Sequence, residues 1–286
     1  MTDTPAHLAF MGFGEAATAF VTGWGERRPG TLTAYDIRDD APMAKRLAEH
    51  GVTGGPVEQA LSGAEVIMSV VTADQALDAA RAAAPTLDRG ALWLDCNSCA
   101  PGTKRAAADA IEGAGGRYVD VAVMAPVHPK RHHVPLLIAG PHAEDAAAIL
   151  RALDMRPEVA GDAVGQASAV KMIRSVMIKG LEALTAECFL AARRAGVEDR
   201  VIASLEASNP EMNWRDRGAY NLERMMVHGA RRAAEMREVT VTVAELGLGG
   251  GMSVAAANWQ DRIGALGANP GEADLFDRLD TVLKQL

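Results

Sequence analysis

The run Leu8-Ala9-Phe10-Met11-Gly12-Phe13-Gly14-Glu15-Ala16-Ala17 decides how the first half of the chain is read. Leu8–Gly12 is an apolar strand candidate, and a helix candidate follows over 14–25. Between them stands Gly-x-Gly-x-x-Ala. After a strand, the first glycine permits a tight turn and the second lets the backbone approach a pyrophosphate. A small third residue, Ala17, lets helix and strand pack closely. The helix N-terminus adds free N–H groups and the positive end of its dipole. The same reading requires an acid roughly 20 residues further on, and Asp36 closes the next strand candidate. A carboxylate there accepts from the ribose hydroxyls of NAD and repels a 2′-phosphate. Arg38, two residues later, keeps NADP as the alternative.

Outward from this turn the pattern repeats. Strand candidates at Leu32–Asp36, Val66–Val71, Leu92–Asp95, Tyr118–Val123 and Leu136–Ala139 alternate with helix candidates at 41–49, 73–84, 101–113 and 143–153. Alternation of this kind gives βαβ units and a mainly parallel sheet with helices on both faces. From about residue 164 strand signals fade. Helices are predicted over 166–195, 198–207, 216–246 with a break near Gly229, 252–266 and 272–285. The expectation is an α/β chain: a doubly wound Rossmann-type domain over 1–163, then an all-helical domain over 164–286 entered by one long helix.

Composition narrows the function classes. The chain has 286 residues, 49% hydrophobic and 23% charged, enough for a sizeable core. A formal charge of −8 gives no electrostatic reason to expect nucleic acid or an anionic membrane surface. Three cysteines exclude a disulfide scaffold and fit a reducing compartment. No apolar run is long enough to span a bilayer, so a cytoplasmic protein is expected. Cys96-x-x-Cys99 has redox spacing in the wrong place, and His128, His132 and His133 have no matching acid cluster in sequence, so no metal is expected.

Three segments, in order, carry a resemblance. The Gly12–Ala17 turn, Asp95-Cys96-Asn97-Ser98 with Pro101, and Gly165-Gln166-Ala167-Ser168-Ala169-Val170-Lys171 are similar to those of the β-hydroxyacid dehydrogenases, which include 3-hydroxyisobutyrate and 6-phosphogluconate dehydrogenases. The run Lys171-Met-Ile-Arg-Ser and the later His228-Gly-Ala-Arg-Arg-Ala-Ala-Glu-Met resemble a little-characterised, phosphogluconate dehydrogenase-like branch of that superfamily. The resemblance implies NAD or NADP as cofactor and Lys171 as general acid/base on a substrate hydroxyl. It implies cofactor contacts from Gly12, Phe13, Gly14, Glu15, Ala16, Asp36 and Arg38, from Val71 and Thr72 at the end of the strand that begins at Val66, and from Asn97 and Arg237. It implies Ser98, Val123 and Met124 at the substrate, and a dimer through the helical domain. Two departures open the substrate question. Ser175 stands where the family usually has asparagine, and Asp120-Val121-Ala122-Val123-Met124-Ala125-Pro126 lacks the serine and glycines of the family's carboxylate-binding segment.

The residues of the long helix make their own case. Lys171, Ser175 and Lys179 lie at i, i+4 and i+8, with Arg174 and Glu182 on the same side. Val170, Ile173, Met177, Leu181 and Leu184 form an opposite apolar stripe. The expectation is that the stripe packs while the polar seam faces a cleft bounded by both domains, bringing Lys171 to Ser98 across the line between them. Arg174, Lys179 and His228 then stand at the substrate with Ser175 supporting the lysine, and Met124 lines the same cleft. The reading is an NAD(P)-dependent dehydrogenase acting on a small hydroxylated substrate. An imine or ketone reductase, or a non-catalytic dinucleotide-binding sensor, is the alternative. Leu181, Leu184, Phe189, Met225 and Met226 supply the apolar surface expected to form a homodimer.

Overall fold

The computed structural model describes residues 4–286. Its eight strands form one sheet in the order β3-β2-β1-β4-β5-β6-β7-β8. They are β1 (His7–Met11), β2 (Thr31–Tyr35), β3 (Thr53–Gly54), β4 (Val66–Ser69), β5 (Leu92–Asp95), β6 (Arg117–Val123), β7 (Pro135–Ala139) and β8 (Arg156–Gly161). All neighbours pair in parallel except β6 and β7. The helices α1 (Glu15–Trp24), α2 (Ala41–Glu49), α3 (Val57–Leu61), α4 (Ala76–Ala83), α5 (Pro101–Gly113) and α6 (Ala143–Ala152) connect them.

The strands are apolar on both sides because both sheet faces are covered. Leu8, Phe10, Val66, Met68, Leu92 and Leu94 join one core, with Phe20 and Trp24 of α1 and Leu150 of α6. The alternate residues Ala9, Met11, Ile67 and Trp93 join the other, with Ala80 of α4 and Ile111 of α5. Sequence reading missed β3, which is two residues long, and β8, whose residues alternate between partly buried and exposed. Neither has the continuous apolar run that marks the inner strands. The strand expected to reach Val71 stops at Ser69, so Val71 and Thr72 belong to the segment just beyond β4.

Contacts divide the chain into Met1–Met172 and Ile173–Leu286, a division that falls inside α7 (Gln166–Ala195). The second unit adds α8 (Glu198–Ser208), α9 (Trp214–Glu245), α10 (Gly251–Gly264) and α11 (Leu275–Leu283). Its core gathers Phe189, Leu190, Leu222, Met225, Ile263 and Leu279. Asn213 caps α9 through Asp216 N–H at 3.0 Å, and Asp274 caps α11 through Phe276 N–H at 2.8 Å.

Two expectations about these helices are corrected. α9 runs unbroken through Gly229, because that glycine marks a close crossing and not a stop. A Cβ built on Gly229 would meet the backbone carbonyl of Gln260 and stand 2.6 Å from Gly264 Cα. The faces of α7 are also reversed. Ser175, Lys179 and Glu182 are buried, whereas Val170, Ile173, Met177 and Leu184 are exposed. Of the residues named for a dimer surface, Phe189, Met225 and Met226 are core, leaving Leu184 exposed and Leu181 partly so.

Candidate active site

The sheet order places β1 between β2 and β4, so the connections after β1 and β4 leave in opposite directions. Ligands of open α/β sheets bind at the strand C-termini at such a reversal. Gly12 follows β1 there with φ +87°, a conformation that favours glycine, and a Cβ on it would crowd Val71 Cγ1 at 3.0 Å and Val70 O at 3.1 Å. A Cβ on Gly14 would meet nothing within 4 Å. Among the described residues no side chain caps the N-terminus of α1, which begins with Glu15 and Ala16. Open space over Gly14 beside an uncapped helix N-terminus fits a pyrophosphate. Phe13 contributes only backbone here, since its buried ring packs edge-on to Phe10.

Asp36, half-buried just after β2, does more than await a ribose. Its Oδ2 accepts the Phe13 N–H at 2.6 Å and its Oδ1 accepts the Arg38 N–H at 2.9 Å. The acid therefore fixes the glycine turn and still has lone pairs for hydroxyl donors. The Arg38 guanidinium lies on Asp40 at 2.7 Å, so it is neutralised locally. Thr72 is exposed and Val71 partly buried beside Gly12.

At the end of β5 the chain turns through Asn97 and Ser98. Lys171 Nζ donates to Ser98 Oγ at 2.5 Å, and both side chains are half-buried. Both residues belong to the first unit, so this pairing does not depend on the helical one. Asn97 is buried: its Nδ2 donates to Ser69 Oγ at 2.9 Å and to Asp95 Oδ1 at 2.8 Å. Its Oδ1 is buried and unpartnered among the described residues. Burial pushes the pKa of the Cys96 thiol up to about 12, and Cys99 is wholly buried.

Several site candidates lie elsewhere than expected. Lys179 does not present its charge to solvent: it pairs with Glu235 at 2.7 Å and lies 3.4 Å from Ser175 Oγ, all three buried. Glu182 accepts from Arg232 and, at 2.8 Å, from Gln260 Nε2. The polar seam is thus a buried network of the helical unit. Arg237 is ion-paired with Asp261 of α10, an ordinary surface partner for an exposed arginine. Arg174 is exposed and His228 half-buried. Met124 packs with Ala122, Leu137, Ala139 and Ala167, and Val123, at the end of β6, is half-buried.

The basic run 127–133, between β6 and β7, is divided. His128 to Arg131 are exposed, whereas His132 is buried against α1, close over Gly23. The carboxylate that sequence could not supply is Asp154, whose Oδ2 accepts from His133 Nε2 at 3.0 Å and lies 3.8 Å from His132 Nε2. Arg156 takes its Oδ1 at 2.9 Å, and these partners hold the carboxyl well below its ordinary range.

Sequence reading missed a buried polar cluster directly behind Ser98. Lys104 of α5, Asp95 and Asp120 are each 0% exposed. Lys104 Nζ lies 2.9 Å from Asp95 Oδ1 and 3.5 Å from Asp120 Oδ1. Burial opposes charge on Lys104, but Asp95, Cys99 and Asp120 outweigh it and its pKa is raised. Tyr118 donates to Asp95 Oδ2 at 2.6 Å. The legible sign was a lysine on the face of α5 that also carries Ala107, Ala108 and Ile111.

Comparison with known proteins agrees with this architecture. Residues 8–156 match the family described as the NAD binding domain of 6-phosphogluconate dehydrogenase, and residues 192–263 match a domain of unknown function, DUF1932. The structure of a conserved hypothetical protein from Sinorhizobium meliloti 1021 is 40% identical, with TM-score 0.77, over 98% of this chain and 97% of that one. A conserved protein of unknown function, described as structurally similar to 3-hydroxyacid dehydrogenases, is 29% identical with TM-score 0.71 and 98% coverage of both chains. The Mycobacterium tuberculosis 3-hydroxyisobutyrate dehydrogenase shares the fold at 16% identity, with TM-score 0.73 over 97% of this chain and 99% of its own. With its glycine turn, sheet order and family match in agreement, the chain belongs to the NAD(P)-binding family of 6-phosphogluconate dehydrogenase.

Proposed function

We propose that this protein is an NAD(P)-dependent oxidoreductase that interconverts a small hydroxylated substrate of the β-hydroxyacid type and its carbonyl form, with Lys171 as general acid/base. The carrying observation is the 2.5 Å contact between Lys171 Nζ and Ser98 Oγ, in the same unit as the dinucleotide turn. The nicotinamide, when bound, supplies the hydride acceptor or donor. Gly12 and Gly14 leave room for the phosphates, Glu15 and Ala16 open the helix that faces them, and Asp36 holds the ribose, which favours NAD over NADP. Lys171 in its neutral form takes the proton of the substrate hydroxyl, and in reverse its ammonium protonates the nascent alkoxide. Ser98 orients the amine and hydrogen-bonds the substrate oxygen.

Met124 lies in an apolar cluster where related enzymes hold a carboxylate, and this supports reduction of a ketone or imine as the second reading. The exposed apolar residues Ile173, Met177 and Leu184 support a homodimer through the helical unit, in place of the buried residues first named. Among the described residues no helix is long and apolar enough to cross a membrane.

The test is a turnover screen of hydroxy acids, hydroxylated amino acids, ketones and cyclic imines, with NAD and NADP each present. On the substrate found, Lys171→Ala lowers kcat by about 10²–10⁴ with cofactor affinity nearly unchanged. Lys171→Arg also fails, because a guanidinium stays protonated. Cofactor binding without turnover on any of these substrates would leave the sensor reading in its place.

A further inference from the structure

The lysine that no motif marks is the best-buried cation in the first unit. Lys104 reaches from the start of α5 into the space between the end of β5 and the middle of β6. There it donates to the Asp95 carbonyl at 2.5 Å and to Asp95 Oδ1 at 2.9 Å, with Asp120 Oδ1 at 3.5 Å. Each carboxylate it faces holds a different half of the candidate site. Asp95 Oδ1 also accepts the Asn97 N–H at 3.0 Å, which shapes the turn that presents Ser98. Asp120 Oδ2 accepts the N–H groups of Gly165 at 3.1 Å and Ser168 at 2.9 Å, and the Ser168 hydroxyl at 3.0 Å. Those donors are the opening turn of α7, one helical turn before Lys171. A Cβ on Gly165 would stand 3.2 Å from Pro101 Cβ, so this turn also lies directly against the start of α5.

We infer that Lys104 is a positioning residue: its buried ammonium ties the Ser98 turn, through Asp95, to the Lys171 helix, through Asp120, and so sets the Lys171–Ser98 pairing. Two carboxylates buried side by side repel, and the ammonium, 2.9 Å from one and 3.5 Å from the other, offsets that repulsion while each holds its turn. Structural stabilisation alone does not require the two acids to anchor the two members of one pair. Here they do, from strands that are hydrogen-bonded neighbours in register at Asp95 and Asp120. The inference rests on the proposed acid/base role of Lys171 for its effect on turnover, but its geometric part does not.

Lys104→Met is the perturbation, with Tyr118→Phe as a milder one that removes a hydrogen bond from Asp95 without leaving a charge unpaired. The first readout needs no substrate. Purified full-length protein is acetylated briefly, and labelling of Lys171 is measured by peptide mass spectrometry relative to exposed Lys45. Ser98→Ala serves as the control for a broken pairing. Lys104→Met is expected to raise the Lys171 ratio several-fold, as Ser98→Ala does, and Tyr118→Phe to raise it less, with NAD binding retained in both. The second readout is kinetic. A loss of kcat by about 10–100-fold, with KM for NAD nearly unchanged, is expected from misplacement of the pair. A folded, NAD-binding Lys104→Met protein with a wild-type labelling ratio overturns the inference. Should Lys104→Met fail to fold, a wild-type ratio in Tyr118→Phe overturns it equally. A raised labelling ratio with unchanged kcat keeps the positioning role and instead refutes Lys171 as the proton carrier.

Discussion

A methyl group added at Gly229 tests the reading of the α9–α10 crossing by the sign of its effect. In an unhindered helix interior, Gly→Ala stabilises by about 1 kcal/mol through backbone entropy alone. At Gly229 the new Cβ would lie 2.6 Å from Gly264 Cα and 2.8 Å from Gly264 N, both backbone atoms that no rotamer change can move aside. The two helices must part by several tenths of an ångström to about 1 Å to restore ordinary contact, and overpacking of this kind costs about 1–3 kcal/mol. The same displacement strains the bond from Gln260 Nε2 to Glu182 Oε2, 2.8 Å long and buried, and a weakened buried hydrogen bond adds about 1 kcal/mol. Against the roughly 1 kcal/mol of helix propensity, the net is destabilisation by about 1–3 kcal/mol. Gly180, within α7, supplies the internal control, since a Cβ there would meet nothing within 4 Å. Gly180→Ala is expected to stabilise by about 1 kcal/mol. Urea unfolding followed by helical circular dichroism reads both. If Gly229→Ala moves the midpoint upward, as Gly180→Ala should, the close crossing is wrong and Gly229 is an ordinary helix glycine.

Gly12→Ala forces a side chain into a positive-φ turn against Val71, which costs about 1–3 kcal/mol, so NAD affinity should fall roughly 5–150-fold in a binding titration. Unchanged affinity would remove the turn from the cofactor site. Glu182→Ala strands buried Arg232 without its carboxylate and should destabilise the helical unit by about 3–5 kcal/mol in the same urea assay. Asp154 has its folded-state pKa depressed by His133 and Arg156, so its contribution is complete above its unfolded pKa of about 4 and is lost as pH falls below that. The stability gap between wild type and Asp154→Asn should therefore be constant near neutrality and close on acidification; a gap that widens in acid contradicts the assignment.

The strand–Gly-x-Gly-x-x-Ala–helix order, the acid at Asp36 and the alternation of apolar runs with alanine-rich helices were enough to derive a doubly wound sheet and a dinucleotide turn. These are local signals: a positive-φ glycine, a short apolar run and a helix period are written within a few residues of one another. The direction of α7 was not legible, because both its faces carry plausible cores. The apolar stripe looked buried, yet Lys179 and Glu182 found partners on α9 and α10 that satisfy them inside, and the stripe was left outside. Gly229 read as a break because sequence cannot show that Gly264 stands opposite. At the N-terminus of α7 the Gly165 N–H is taken by Asp120, 45 residues earlier in β6. Lys104 sits in an alanine-rich helix, and only the pairing of β5 with β6 brings Asp95 and Asp120 to it. Sequence determined what each segment forms. Tertiary structure decided which polar groups are buried, since a buried charge is tolerated only where distant segments bring it a partner.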